Sequence, residues 1–245
     1  MVEIYNYPIN VNIPKVAFYG NPVISKPIKP TLSDKFVACP IIDQYLDKKS
    51  LELEAKQNVR IQELLGAYNL PVKINEKAIE QLKNGHLKNT RELAVKLYSA
   101  LPEELKKDVN LKQLQDASLL HDIGKVLIPD NILNKKGRLD QQEREIMELH
   151  SELGYKLLKN KFLDEETLNL IRNHHQNSKK TGYPSVSEKY DHSMAAQILS
   201  AADKYSALTE KRSYKESFDR QKALKILKND ETILPEIYSA LEKAV

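Results

Sequence analysis

The sequence predicts an all-α fold, a helical bundle preceded by an irregular, proline-rich extension. Three observations predict it. From about residue 75 to the C-terminus, apolar residues recur at intervals of three and four, the period of a helix. The chain has only 7 Gly and no Trp in 245 residues, with Leu, Ile, Ala, Lys and Glu abundant. Six of the eleven prolines fall in residues 1 to 50, where each removes a backbone donor and blocks a helix interior.

The bulk composition sets bounds on function. With 41% hydrophobic and 29% charged residues, the chain reads as an ordinary globular protein, long enough for one sizeable core. A net charge of +4 from 38 basic and 34 acidic residues is too mild to indicate a nucleic-acid polymer as partner. The one cysteine, Cys39, leaves no intrachain disulfide and no thiolate cluster, so any metal must be held by His, Asp or Glu. The N-terminal stretch MVEIYNYPINVNIPK lacks a basic segment followed by an apolar one, and no stretch approaches the ~20 apolar residues that span a bilayer. These features lead us to expect a cytoplasmic protein with no membrane partner.

The elements follow in order. Residues 1–50 form the expected extension, and 51–245 the helical domain. LELEAKQNVRIQELLGAYNL is a charged helical stretch that docks on the domain or links it to the extension. In AIEQLKNGHLKNTRELAVKLYSAL, Ile79, Leu82, His86, Thr90, Leu93 and Leu97 share one face, so His86 points where a hydrophobe would. LKQLQDASLLHDIGK puts Leu114, Ala117 and His121 on one face, with Gly124 and Pro129 marking the helix end. His121 and Asp122 then belong to its last turn.

RLDQQEREIMELHSELGYKLL begins with Asp140 and Glu143 at capping-box spacing and aligns Ile146, His150, Leu153 and Leu157. FLDEETLNLIRNHHQ is capped by Asp164 and sets His174 and His175 four residues after Leu170 and Ile171. After the loop NSKKTGYPSVSEKY, the segment DHSMAAQILSAADKYSAL carries Leu199, Ala202 and Asp203 inward. His192, beside Asp191 at the start of that helix, reads as a surface residue.

Any one of these histidines alone is more simply a hydrogen-bonded core residue. Five of the six, with two aspartates, fall on inward faces of separate helices. Each such group costs about a few kcal/mol to desolvate unpaired, so seven together call for a compensating cation. Nitrogen and oxygen donors fit Fe, Mn, Co or Zn. Neighbours on a helix project about 100° apart, so His174 and His175 would address two ions. Two ions bridged by a carboxylate and a hydroxide form a device for in-line attack on phosphorus, with Asp122 as candidate bridge. Lys125 could reach a phosphate oxygen, though a lysine near a helix C-terminus is also favoured by the helix dipole.

Residues from about 80 to 220 resemble the HD-GYP subgroup of the HD-domain metal-dependent phosphohydrolases. The resemblance rests on HDIGK at 121–125, ELHSELG around His150, the pair His174-His175, Gly182-Tyr183-Pro184, and ILSAADKYSALTEKRSYK. It implies an HD-domain helical bundle that hydrolyses cyclic di-GMP to linear pGpG or GMP with Fe or Mn. It implies the metal ligands His86, His121, Asp122, His150, His174, His175 and Asp203, and it leaves room for a homodimer. Lys125 would assist at the phosphate, Tyr183 and Gly182 would help hold the substrate, and Arg212 and Lys215 would contact its phosphates. Read from the residues alone, Gly182 permits close backbone approach, Pro184 projects the Tyr183 ring for stacking, and RSYK is an ordinary solvated basic cluster.

The chain also departs from that pattern. Gln176 stands where an acid follows the HH pair, Lys179 and Lys180 replace an Asp-Gly, and Ser206 replaces a second acid after Asp203. Leu82 stands where three-metal members carry a glutamate, which makes two divalent ions the expectation. The altered loop keeps other substrates open, such as a mixed cyclic GMP-AMP or another nucleotide, as well as a non-catalytic cyclic-dinucleotide receptor.

Overall fold

Short polar residues start most of the helices. Side-chain oxygens of Asp47, Asn58, Asn75, Asn110, Asp140, Asp164, Ser193 and Asp219 each accept from a backbone N–H of the first turn that follows, a contribution of about 1 kcal/mol apiece. Asp140 and Glu143 close the full capping box. The computed structural model describes residues 40–161, 163–210 and 217–245, and every regular element among them is helical.

In chain order these are α1 Pro40–Tyr45, α2 Lys48–Gln57, α3 Val59–Gly66, α4 Glu76–Gln81, α5 Leu87–Ala100, α6 Glu103–Lys106 and α7 Leu111–Leu120. A 3-10 turn at Ile123–Leu127 follows, then α8 Asp130–Leu133, α9 Gln141–Leu158, α10 Glu165–Asn173, α11 Met194–Thr209, α12 Arg220–Lys228 and α13 Pro235–Ala244. Among the described residues the first helix starts at Pro40. Residues 1–39 lie outside the described residues. Among those described, no helix is long and apolar enough to cross a membrane.

At the centre, α5 packs on α7, α11 and α13, while α10 lies across α7 and α9. Leu97, Leu114, Leu153, Leu168 and Ile171 are fully buried in the shared core, each contributing on the order of 2 kcal/mol from apolar burial.

Three breaks in the helices differ from the sequence expectation, and all three shape the interior. The stretch from Ile79 to Leu97 is not one helix. A widened turn at Leu82–His86, with Asn84 at φ −83°, ψ 28° and Gly85 at φ 111°, separates α4 from α5. Only a glycine adopts that positive φ without strain. Asn58 likewise divides the 51–70 stretch into α2 and α3, ending one helix and capping the next.

The third break is at the HD doublet. Helix α7 stops at Leu120, so His121 and Asp122 follow the helix instead of forming its last turn. Gly124 is not a left-handed cap. It lies where the 3-10 turn presses on α9, and a Cβ there would fall 1.9 Å from the His150 carbonyl oxygen and 2.5 Å from the Gly154 nitrogen. Both atoms belong to backbone and cannot rotate away.

Gly124→Ala must therefore push the HD segment off α9. We expect a loss of roughly 3 kcal/mol or more, at or above the upper range for overpacking. Gly66→Ala, where a Cβ meets nothing within 4 Å, should be neutral or stabilising by up to about 1 kcal/mol. Thermal melts of the two variants beside the parent check the contrast, and equal melting temperatures would refute it.

Candidate metal centre

Five segments deliver polar side chains to one buried point. His86 comes from the end of the widened turn, His121 and Asp122 from the end of α7, and His150 from mid-α9. His174 and His175 follow the end of α10, and Asp203 comes from α11. Their donor atoms form two groups, Asp122 with His150, His174 and His175, and His86 with His121 and Asp203. All seven sequence-predicted ligands are thus brought together. His121, Asp122, His150 and His174 are at most 1% exposed.

Asp122 lies between the groups. Its Oδ2 is 3.4 Å from His86 Nε2 and 3.5 Å from His121 Nε2. Its Oδ1 is 3.4 Å from His150 Nε2 and 3.9 Å from His174 Nε2. Asp203 Oδ1 completes the first side, 3.3 Å from His86 Nε2 and 3.5 Å from His121 Nε2. One carboxylate facing two sets of imidazoles through its two oxygens is the arrangement a bridging ligand needs. The backbone of Asp122, at φ −95° and ψ 3°, occupies the bridge region that leaves the helical path. That turn brings two sequence neighbours onto the same interior point.

The tautomers follow from the hydrogen bonds. His121 Nδ1 lies 2.9 Å from Ser118 O, His150 Nδ1 2.7 Å from Met147 O, and His174 Nδ1 2.7 Å from Ile171 O. A carbonyl only accepts, so each Nδ1 carries a hydrogen and each ring turns its Nε2 inward; in His150 and His174, kept neutral by burial, that inward atom is a lone pair. His150 Nε2 and His174 Nε2 then face one another at 3.3 Å with no proton between them. His86 Nε2, His121 Nε2 and Asp122 Oδ1 are buried without a hydrogen-bond partner. Of these, Asp122 Oδ1 can only accept, and a buried carboxylate oxygen without a donor calls for a positive centre. A divalent cation with nitrogen and oxygen ligands fits the donor set.

The protonation pattern agrees with that fit. Burial pushes His150 down to about 3 and His175 down to about 4, and it also lowers His174, whose neighbouring imidazoles add to the effect. Burial would raise Asp122 and Asp203, but Lys125 and the surrounding histidines hold Asp122, and His121, His86 and His175 hold Asp203, well below the usual carboxylate range. His86 alone moves the other way. Burial opposes its charge, yet contacts with Asp122, Asp203 and Glu210 push it up to about 11.

The remaining predicted residues are placed as follows. Lys125 Nζ donates to Asp122 Oδ2 at 2.5 Å. The Tyr183 ring lies over the histidines, its centroid 4.6 Å from that of His175 and 6.0 Å from that of His150. Gly182 does allow a close approach, but the backbone it meets is the protein's own. A Cβ there would be 2.0 Å from the His175 carbonyl oxygen. Arg212 and Lys215 lie outside the described residues.

Some expectations give way to the structure. His174 and His175 fall in one donor group, their ring centroids 4.0 Å apart, instead of addressing two separate groups. His192 is 7% exposed, with Nδ1 3.1 Å from the Tyr190 hydroxyl, because its ring turns inward at the N-terminus of α11. Leu82 is 5% exposed and part of the core.

Two residues take up work that sequence reasoning did not assign. Gln176, 1% exposed, donates from Nε2 to the carbonyls of Gly182 and Pro184 at 3.1 and 2.8 Å. Its Oε1 accepts from the N–H groups of Gly182 and Asn177, each at 3.1 Å. An ionised acid has no hydrogen for those two carbonyls, so the amide suits this loop. Lys179 turns outward to pair with Glu231. Glu210, seven residues and two turns after Asp203, meets His86 Nδ1 at 2.7 Å. Its spacing from Asp203 was the readable signal.

Comparisons with known proteins agree with this picture. Residues 73–232 match the family model described as HD domain. A 3'3'-cGAMP-specific phosphodiesterase 2 from Vibrio cholerae is 40% identical over 105 residues, 42% of this chain and 20% of that protein. The cyclic di-GMP phosphodiesterase response regulator RpfG from Xanthomonas campestris is 36% identical over 117 residues, 46% of this chain and 31% of that protein. The chain thus spans a third or less of these curated relatives. Among solved structures, an HDG"Y"P protein from Bdellovibrio bacteriovorus superposes with a TM-score of 0.56 at 17% identity, over 83% of this chain and 66% of that one, a likeness of fold.

His86 must lose its proton before its Nε2 can bind a cation. Uptake of metal near pH 8 should therefore release about one proton per chain from this residue, and apparent affinity should fall as pH falls, since protons compete for the same lone pair. Calorimetric titration with Mn²⁺ in two buffers of different ionisation enthalpy measures the released proton. No release would refute the combination of a protonated His86 in the metal-free chain and its service as a ligand.

Proposed function

The chain belongs to the HD domain family, and from that premise we propose that it is a metal-dependent phosphodiesterase opening a cyclic dinucleotide. Cyclic di-GMP is the substrate we assign, with linear pGpG or GMP as product. The observation that carries the proposal is the convergence of four imidazole Nε2 atoms on the two oxygens of one buried aspartate.

In this reading His86, His121, Asp203 and Asp122 hold one divalent ion. Asp122, His150, His174 and His175 hold a second, with Fe or Mn as our assignment from the donor set. Bound ions supply Lewis acidity toward a phosphate and an activated water at neutral pH. The chain's own groups do the rest. Asp122, buried and ionised, orients both imidazole sets. Lys125 spends one of its three ammonium hydrogens on Asp122 and has two left for a phosphate oxygen as negative charge develops there. Tyr183, fastened through Gln176, presents its ring beside His175, where a purine can stack. We place this chemistry in the cytoplasm, in keeping with a chain that carries one cysteine.

The similarity to a relative named for 3'3'-cGAMP favours a second substrate reading, the mixed cyclic GMP-AMP. It shares the phosphodiester chemistry and differs in one base.

The test is anaerobic incubation of Fe- or Mn-loaded protein with each cyclic dinucleotide and chromatographic identification of products. Linear dinucleotide or mononucleotide should appear from at least one substrate and vanish with His121→Ala plus Asp122→Ala. Lys125→Ala should lower kcat about 100-fold, the usual scale for one lost charge-stabilising donor. Tight binding of intact substrate without turnover would replace the enzyme by a receptor.

Tyr183 gives a separate prediction. Tyr183→Ala should raise KM about tenfold or more, given the ~1–3 kcal/mol that base stacking contributes, whereas Tyr183→Phe should change it little. Equal effects of the two substitutions would assign the role to the hydroxyl instead.

A further inference from the structure

Four imidazoles send Nε2 toward Asp122, and they are not held alike. His121, His150 and His174 each give their Nδ1 hydrogen to the carbonyl three residues earlier in their own helix. His86 has no such helical turn before it, because Asn84 and Gly85 leave the helical path. The bulge that lets His86 point inward also removes the carbonyl that would have oriented it.

Glu210 takes that place from another helix. Its Oε2 accepts from His86 Nδ1 at 2.7 Å, and its Oε1 accepts from Asn89 Nδ2 at 3.0 Å. Its backbone N–H caps α11 by bonding to the Ser206 carbonyl at 2.9 Å. Both carboxylate oxygens and the backbone are thus fixed. His86 lies between two acids of one helix, Asp203 on Nε2 and Glu210 on Nδ1.

An imidazole backed by a carboxylate is a more basic ligand than one backed by a neutral carbonyl, and loss of such a partner typically lowers metal affinity 10–100-fold. Among the described residues, a carboxylate on an Nδ1 of this cluster is seen at His86, on one side of it. We propose that Glu210 is a positioning residue that strengthens the ion on the side of His86, His121 and Asp203 and so makes the two sites unequal. This rests on the metal-binding reading above.

The experiment is Mn²⁺ titration of the metal-free full chain, read as bound ions per chain and two dissociation constants, for the parent, Glu210→Gln and Glu210→Ala. The parent should bind two ions. In Glu210→Ala one affinity should fall 10–100-fold with the other unchanged. Glu210→Gln, which keeps an accepting oxygen without the charge, should fall less. In a His150→Ala background the surviving ion should respond to Glu210→Ala, and in a His121→Ala background it should not. Circular dichroism confirms that each variant is folded.

Unchanged affinities in Glu210→Ala, or an equal fall in both, would overturn the assignment. A loss beyond about 1000-fold would make Glu210 a ligand in its own right and also overturn it, since that exceeds what an outer partner supplies. A parent chain that binds no ion pair would instead refute the metal reading on which the inference depends.

Discussion

Removing seven ionisable side chains from water inside a helical bundle is the constraint around which this molecule is organised. An uncompensated buried charge costs several kcal/mol even after relaxation, a large part of the ~5–15 kcal/mol by which a domain is stable. The protein contains the cost in three ways. Burial keeps His150, His174 and His175 neutral. The two aspartates are ionised against Lys125 and His86. The neutral imidazoles turn their hydrogens outward to helix carbonyls, leaving lone pairs to converge. A bound cation pair completes that arrangement in the reading proposed here.

Holding the donors in register depends on where helices end. His121 and Asp122 follow α7, His174 and His175 follow α10, and His86 closes the widened turn before α5. The helical path is left at Asn84 and Gly85 before His86 and at Asp122 after His121. The apolar core provides the rigidity. Leu114, Leu153 and Ile171 lie on the helices that lead into His121, carry His150 and lead into His174, and all three are fully buried. The contact of Gly124 with the α9 backbone at His150 and Gly154 couples the HD segment directly to the helix bearing His150.

The loop over the site shows the same coupling between polar satisfaction and geometry. Gln176 satisfies four backbone partners of its own loop, and Tyr183 is carried between two of them. A change from acid to amide at this position alters the loop's charge and keeps it tied. Lys179 and Lys180 spend their charge on Glu231 and on the Glu188 carbonyl.

Much of this was legible from residue types and spacing. The helical period placed α5, α7, α9, α10 and α11, the polar residues Asp140 and Asp164 marked helix starts, and five histidines and two aspartates on inward faces identified the seven donors. That information is local, carried by the three- and four-residue repeat of a helix. Tertiary structure decided what the repeat cannot encode. It set the end of α7 at Leu120, the pairing of His174 with His175 in one group, the burial of His192, and the backbone contact behind Gly124. It also brought Glu210 against His86, 124 residues apart in sequence. Periodicity reports which face of an element is apolar, whereas the meeting of two side chains depends on how elements cross, and crossing angles arise only when the helices pack.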